Sequence, residues 1–217
     1  MKKIFISLVF LVTPLIVNAQ ATPYVEGSVG YFKMSSATLS NFLYDPVNGN
    51  NLTSYNVSNK GDPGVDLGIE LGAGHLFGTG LRLGVSETYV SINNLKTNGT
   101  FTSSSGTTVE SNLAAGNMSV NLMMMNAYYD FSIDNSSFTP YVGAGYGIYG
   151  NNRMTGTGTA WSLMAGVNYS ITENIYAGLK GSYYSLSQLT INDGPGSNNV
   201  YGSTNAFSAN AVLGYKF

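Results

Sequence analysis

The residues with the clearest potential for chemistry are the single histidine, His75, and a few charged side chains, in a chain without cysteine. One imidazole cannot build a multi-histidine metal site, and it allows only one Ser-His-carboxylate triad. No Ser lies within several residues of His75, although a neighbouring strand could supply one. We therefore expect His75 to be an interfacial residue, and we expect no catalytic site, metal or cofactor.

The charged side chains occupy alternate positions in strand-like segments, and the apolar residues occupy the positions between them. Side chains of one parity share one face of a strand, so these charges are expected to point to the same shielded side. The set comprises Glu26, Asp66, Glu70, Arg82, Asp130, Lys180 and Lys216. Both signs of charge are present, and buried charges are tolerated when they pair. We expect an ion-paired network that fills an interior; a narrow conducting path is the alternative.

Eight segments carry the period of two that is typical of strands with one apolar face. The pattern is strictest from Val65 to Leu76, and the chain ends on an alternating segment whose last apolar residues are aromatic. The predicted strands are Tyr24–Met34, Val65–Leu76, a segment that begins at Leu81, Ala114–Phe131, Phe138–Tyr149, Trp161–Ile171, Ile175–Ser187 and Thr204–Phe217. Each has about the length that a tilted strand needs to cross a membrane.

Long and short connections alternate between these segments. The long ones are Ser35–Asp62, Asn93–Asn112, Gly150–Gly158 and Gln188–Ser203, and the short ones lie at Phe77–Gly80, Asp134–Ser137 and Thr172–Asn174. Such alternation is typical of an even-stranded barrel with both termini on the periplasmic side. The sequence therefore predicts an all-β fold, an eight-stranded antiparallel up-and-down transmembrane β-barrel with four extracellular loops.

The amino-terminal segment has the features of a secretory signal peptide. Met1-Lys2-Lys3 precedes an apolar stretch from Ile4 to Val17, and Ala19-Gln20-Ala21 supplies a cleavage site, with cleavage after Ala21 or after Ala19. We expect a signal peptide over 1–21 and one barrel domain over 22–217. A net charge of −2 without a basic patch argues against nucleic acid as a partner.

Two places break the alternation. Glu87 falls on the lipid-facing parity, and Leu122 to Met125 is apolar without a break. A bulge shifts the parity by one residue, so we predict irregularities near Ser86-Glu87 and within Leu122–Met125. Alternatively, Glu87 lies above the hydrocarbon layer, where a charge costs little.

Aromatic residues concentrate toward both ends of the strands, and we expect two interfacial belts. The periplasmic belt would contain Tyr24, Phe77, Tyr128, Tyr129, Phe138, Tyr169, Tyr176, Tyr215 and Phe217. The outer belt would contain Tyr31, Tyr89, Tyr149, Trp161 and Tyr183.

Particular segments resemble a known family. Asn126–Phe131 followed by Phe138–Gly147 resembles the fourth and fifth strands of the opacity-protein and OmpA-like small outer-membrane barrels of the porin family, and Trp161–Thr172 resembles their sixth strand. The end, with Tyr215 and Phe217, is similar to the signal that the barrel-assembly machinery recognises. The resemblance implies a monomeric surface protein of the bacterial outer membrane, whose relatives include adhesins, serum-resistance factors and narrow porins.

The first functional hypothesis is a non-enzymatic surface antigen or adhesin whose extracellular loops contact a host surface, a neighbouring cell or lipopolysaccharide. Its other expected partners are outer-membrane lipid and, during insertion, the barrel-assembly machinery. The alternatives are a narrow porin that passes small solutes, a lipid-modifying outer-membrane enzyme, and a soluble secreted β-sandwich. The outward rows of apolar residues on nearly every strand argue against the sandwich.

Overall fold

The alternating segments fold as antiparallel strands, because a period of two places apolar side chains on one face and small or polar ones on the other. The computed structural model describes residues 21–35, 38–44, 51–60, 63–76, 78–102, 108–151, 157–192, 197–201 and 203–217. The predicted signal peptide lies outside them except for Ala21. The strands are β1 (Thr22–Met34), β2 (Thr38–Tyr44), β3 (Asn51–Lys60), β4 (Gly64–Leu76), β5 (Leu81–Thr102), β6 (Thr108–Asp130), β7 (Phe138–Asn151), β8 (Gly158–Ser170), β9 (Ile175–Leu186), β10 (Leu189–Asn192), β11 (Ser197–Tyr201) and β12 (Thr204–Lys216). No helix long and apolar enough to span a membrane occurs in this part of the chain.

Eight strands close into the barrel in the order β1, β4, β5, β6, β7, β8, β9 and β12, and β12 pairs with β1. The predicted eight-stranded antiparallel up-and-down barrel is thus confirmed. A path that starts at Tyr24 and steps each time to the residue directly opposite on the next strand passes once around the barrel. It returns to β1 at Met34, ten residues further along. This stagger sets the strand tilt and a lumen that side chains can fill. Closure also leaves no unpaired edge in lipid.

The remaining four strands form a sheet that extends the wall beyond the barrel. β3 pairs with the far half of β5, where Lys60 lies opposite Lys96, and β2, β11 and β10 follow in that order. Three stretches predicted as loops, Ser35–Asp62, Asn93–Asn112 and Gln188–Ser203, therefore contain strands, and the prediction was wrong there. Outside the membrane a strand has no lipid face, so its Ser, Thr and Asn residues need not alternate with apolar ones.

The predicted irregularities near Ser86-Glu87 and within Leu122–Met125 are also wrong. Glu87 pairs with Ile69 on one side and Met123 on the other in unbroken register. Leu122 and Met124 point into the lumen while Met123 and Met125 point outward, so apolar residues occupy both faces of this segment. Glu87 lies on the outward face, two residues from Tyr89. The bulge of β4 lies instead between Ala73 and Leu76.

The aromatic belts are present but smaller than predicted. The outward-facing members are Tyr129, Phe138, Tyr169, Tyr215 and Phe217 at the periplasmic end and Tyr31, Tyr89 and Trp161 at the outer end, with Tyr183 packed against Trp161. Four predicted members point into the lumen, namely Tyr24, Tyr128, Tyr149 and Tyr176. Tyr24 shares the parity of Glu26, so its inward direction follows from the same alternation. Phe77 lies outside the described residues.

Candidate functional site

The periplasmic half of the lumen is filled by a polar layer centred on two carboxylates. We call this layer the septum; it consists of Tyr24, Glu26, Glu70, Arg82, Asn126, Tyr128, Tyr141, Tyr176 and Lys180. Glu26 is held by three groups. The Lys180 ammonium donates to it at 2.9 Å, the Tyr176 hydroxyl donates at 3.1 Å, and the Arg82 guanidinium lies 3.4 Å away. A buried carboxylate with this many donors is satisfied within the protein.

Glu70, the second carboxylate, has only neutral donors within hydrogen-bond distance. The hydroxyls of Tyr24 and Tyr128 donate to it at 2.5 and 2.6 Å, and the Asn126 amide donates at 2.7 Å. The same amide nitrogen lies 2.9 Å from the Ser86 hydroxyl, which ties the network to β5. Glu70 on β4 is therefore bonded to β1 and β6, and Asn126 extends the network to β5.

Arg82 joins Glu26 and Asp130 to the aromatic part of the septum. Its guanidinium carbon lies 4.2 Å from the ring centroid of Tyr128, 4.9 Å from that of Tyr141 and 5.2 Å from that of Tyr24. It also forms an ion pair with Asp130 at 3.4 Å. A planar cation can lie against aromatic faces and pair with carboxylates at the same time, a geometry that lysine does not reproduce.

Every inward-facing tyrosine of this network lies directly opposite a glycine on the next strand. The pairs are Tyr24 with Gly72, Tyr128 with Gly143, Tyr141 with Gly166, Tyr176 with Gly214 and, nearer the outer end, Tyr149 with Gly158. In each pair a Cβ on the glycine would collide with the tyrosine ring. Each ring therefore lies over the glycine of the neighbouring strand. These pairs were not predicted, although inward Tyr and Gly residues of the same parity carry the signal.

The outer half of the lumen has an apolar filling, which we call the cap. Its members are Phe32, Val90, Ile92, Met118, Val120, Leu122, Met124, Tyr149, Ala160, Tyr184, Leu186 and Ala206, with Met34 packed against them. Leu122 and Val90 have no exposed surface. This layer was not predicted, because the inward-facing residues were expected to be small or polar along the whole lumen.

The other predicted interior charges lie at the two ends of the septum. Asp66 is buried toward the cap and accepts a hydrogen bond from the Asn210 amide. Asp130 and Lys216 lie toward the periplasm, where the Lys216 ammonium is 5.4 Å from the centroid of Tyr176. All seven predicted residues are thus on the lumen side of the wall, and five of them form one ion-paired and hydrogen-bonded group with the tyrosines.

His75 lies at the periplasmic mouth, where the β4 bulge gives it a φ of 52°. It lines a small cavity together with Asp130, Thr139 and Ser170. Within the residues that the structure describes, no hydrogen bond joins His75 to a hydroxyl or a carboxylate. The arrangement therefore lacks the contacts of a catalytic triad.

Two cavities lie on opposite sides of the septum. The central one, between septum and cap, measures about 20 Å³. The one at the periplasmic mouth measures about 30 Å³. Each has room for one or two water molecules. Chemically, this lumen can hold water or a small ion, while Glu26 and Glu70 are already bonded to the cations and tyrosines around them.

Comparison with known proteins agrees with this architecture. A family model described as the outer membrane protein beta-barrel domain matches residues 5–217. Neisserial surface protein A is similar with a TM-score of 0.55 and 17% identity over 91% of this chain and 99% of that chain. OprG from Pseudomonas aeruginosa is similar with a TM-score of 0.54 and 15% identity over 91% of this chain and 97% of that chain. AlkL in lipid bilayers is similar with a TM-score of 0.50 and 15% identity over 90% of each chain. No curated protein sequence matches. At these identities the likeness extends to the fold alone.

Proposed function

Since this chain belongs to the outer membrane protein β-barrel family and lies in the bacterial outer membrane, we propose that it is a non-enzymatic surface protein that presents a rigid β-sheet to molecules outside the cell. The observation that carries this proposal is the contrast between a filled lumen and long connections built as strands. β10, β11, β2 and β3 continue the sheet of β5 and β6 beyond the barrel. A sheet anchored on a closed barrel is a rigid support for recognition.

The extracellular sheet also offers backbone groups for binding. In the described part of the chain β10 pairs with β11 alone, so β10 forms an edge of the sheet. Edge strands present N–H and C=O groups that can pair with an extended segment of another molecule. The stretches 38–60 and 188–203 are rich in Ser, Thr, Asn and Gly, which suits a solvated surface. Host or neighbouring-cell surface molecules and lipopolysaccharide are the partners that we propose.

Two further partners follow from position. The outward residues of the wall would contact outer-membrane lipid, and the chain end would engage the barrel-assembly machinery during insertion. Tyr215 and Phe217 face outward at the end of β12 with ring centroids 5.1 Å apart, which leaves both rings available on one face. We propose a monomer, because closure of the barrel within one chain leaves no membrane-embedded edge for a second copy. Nucleic acid is not among the proposed partners.

The alternatives have less support. Septum and cap fill the lumen in series, which weighs against a narrow porin, since a solute would have to displace both layers. The position of His75, without a bonded hydroxyl or carboxylate in the described residues, weighs against a lipid-modifying enzyme.

Replacement of residues 38–60 by a short Gly-Ser linker tests the proposal. The barrel strands remain intact, so the detergent-folded variant should keep its heat-modifiable migration on a gel. Binding to host cells or to lipopolysaccharide, measured with labelled protein, should fall at least tenfold. A matched control replaces the periplasmic turn 134–137 with the same linker and should bind as the wild type does. Unchanged binding after removal of 38–60, or stable ion conductance of the wild type in planar bilayers, would contradict the proposal.

A further inference from the structure

Asp66 is the least supported carboxylate of the lumen. Its exposed fraction is 1%, and its one hydrogen-bond partner among the described residues is the Asn210 amide. Glu26 has two cations and Glu70 has three neutral donors, whereas no ammonium or guanidinium of the described residues lies within 4 Å of Asp66. Lys180 lines the same cavity, but its ammonium is bonded to Glu26. An unpaired buried charge is costly unless a counter-charge accompanies it.

Among the described residues, the charges that face the lumen do not balance. Glu26, Asp66, Glu70 and Asp130 are four carboxylates, and Arg82 and Lys180 supply two positive charges. Lys216 at the periplasmic rim adds a third. One negative charge therefore remains without a counterpart, and the carboxylate that has no ion pair and the fewest donors is Asp66.

The cavity beside Asp66 carries oxygen atoms that lack a hydrogen-bond partner. Within the part of the chain that the structure describes, the hydroxyl of Ser162 and the side-chain oxygen of Asn126 have no hydrogen-bond partner, and these residues are 1% and 5% exposed. Both residues line the cavity, and both oxygens lie close to Gly145 on the strand between them, where a Cβ would collide with each. Ser28, Thr88 and Asp66 line the same cavity. Buried oxygens of this kind are normally satisfied by water or by a cation.

We propose that this central cavity is a binding site for one monovalent cation, with Na⁺ preferred, for which Asp66 supplies the charge and the surrounding side-chain oxygens supply neutral ligands. Oxygen ligands suit hard cations. A volume of about 20 Å³ has room for one or two particles the size of a water molecule. The Asp66 carboxylate attracts the smaller Na⁺ more strongly than K⁺ or Cs⁺, because the charges approach more closely. A single carboxylate is a poor match for Mg²⁺, which dehydrates reluctantly.

This inference is independent of the proposed surface function, and it is tested on the folded barrel. The unfolding temperature of the full mature chain in detergent is measured in chloride salts of Na⁺, K⁺, Cs⁺ and choline at equal ionic strength, so that screening is constant. We expect a saturable increase with Na⁺ relative to choline, smaller with K⁺ and absent with Cs⁺, because a ligand that binds only the folded state stabilises it. Na⁺ binding to the wild type is also followed by ²³Na NMR relaxation, which requires no variant.

Two variants assign the site. Asp66→Asn should abolish the difference between Na⁺ and choline, while Asp134→Asn, which removes an exposed carboxylate from the β6–β7 turn, should retain it. Infrared spectroscopy distinguishes an ionised carboxylate from a protonated one. A protonated-carboxyl C=O band that disappears in Asp66→Asn, with equal unfolding temperatures in all salts, would overturn the proposal and assign a proton to Asp66. Equal unfolding temperatures in all salts without such a band would overturn the proposal as well. A larger increase in unfolding temperature with Mg²⁺ than with Na⁺ would also overturn it.

Discussion

The septum and the cap occupy the same lumen, project inward from largely the same strands, and are stabilised by different forces. The septum joins Glu26, Glu70 and Arg82 through directional bonds that need partners at fixed positions. The cap packs side chains such as Phe32 and Leu122 by contact alone. Burial of apolar groups is favourable by itself, whereas burial of charge is tolerated only when every partner is present.

The difference indicates a division of labour along the barrel axis. The septum fixes which residues meet across the lumen, because a slip of one strand would separate Glu70 from Tyr24 and Tyr128. The cap excludes water at the outer end and contributes stability with little demand on register. Loss of one septum partner should therefore cost more than loss of one cap side chain of similar size.

The largest effect is expected from Glu26→Ala. The substitution leaves Lys180 without its carboxylate and Arg82 with Asp130 alone, and breaking a buried ion-pair network by one partner costs about 3–5 kcal/mol. Urea unfolding of the barrel in lipid vesicles measures the change in the free energy of unfolding. Glu173→Ala in the exposed β8–β9 turn is the matched control and should change it by about 0.5 kcal/mol or less. Equal losses for the two variants would show that the septum is not stabilising as a network.

A smaller effect is expected in the cap. Leu122→Ala creates a cavity in a fully buried cluster, and such substitutions cost about 2–5 kcal/mol. Leu163→Ala is the same change on the lipid-facing side of β8, where Leu163 is 55% exposed and acyl chains can refill the space. The loss in free energy of unfolding should be smaller at Leu163, because no empty cavity remains there. If unfolding in vesicles gives the two variants the same free energy, the outer lumen is not packed as a core.

The next expected effect tests how the tyrosines fit. Gly143→Ala would push a methyl group into the Tyr128 ring, and overpacking of this kind costs about 1–3 kcal/mol. Gly181→Ala is the control, since the nearest atom to its Cβ is the Ala165 carbonyl oxygen at 3.8 Å, an ordinary contact. It should be neutral or stabilise by roughly 0.5 kcal/mol. Near-ultraviolet circular dichroism should show loss of tyrosine packing in Gly143→Ala alone.

The barrel itself could be predicted from the sequence, because alternation, segment length and turn spacing are local properties. The parity that placed Glu26 and Lys180 on one face is local too. Their contact is not, since it depends on the ten-residue stagger that accumulates around the wall. A different stagger with the same alternation would bring other residues together. The partners of the septum therefore needed the three-dimensional register.

Three features were missed for physical reasons. The cap escaped detection because Leu122–Met125 is apolar on both faces, so that the inward residues could not be told from the outward ones. The strands of the extracellular sheet carry no lipid-facing row, and their composition was typical of loops. The bulge at His75 was missed because sequence patterns located irregularities where alternation failed, whereas this one lies at the end of a regular segment, next to a turn.

The smallest effect is expected at His75, which lies at the periplasmic mouth, outside the septum and the cap. Substitutions there provide a baseline against which substitutions in those two layers can be compared. His75 has a left-handed φ of 52°, which costs a residue with a Cβ about 1–2 kcal/mol relative to glycine. His75→Gly should raise the free energy of unfolding by about 1 kcal/mol or less, because the flexibility of glycine offsets part of the gain. His75→Val should lower it by about 1 kcal/mol, since a β-branched residue is especially strained at positive φ. Both variants should leave the tyrosine circular dichroism unchanged, because the septum does not depend on the bulge. A large destabilisation by His75→Gly would instead mean that the imidazole is part of the network that holds Arg82 and Asp130.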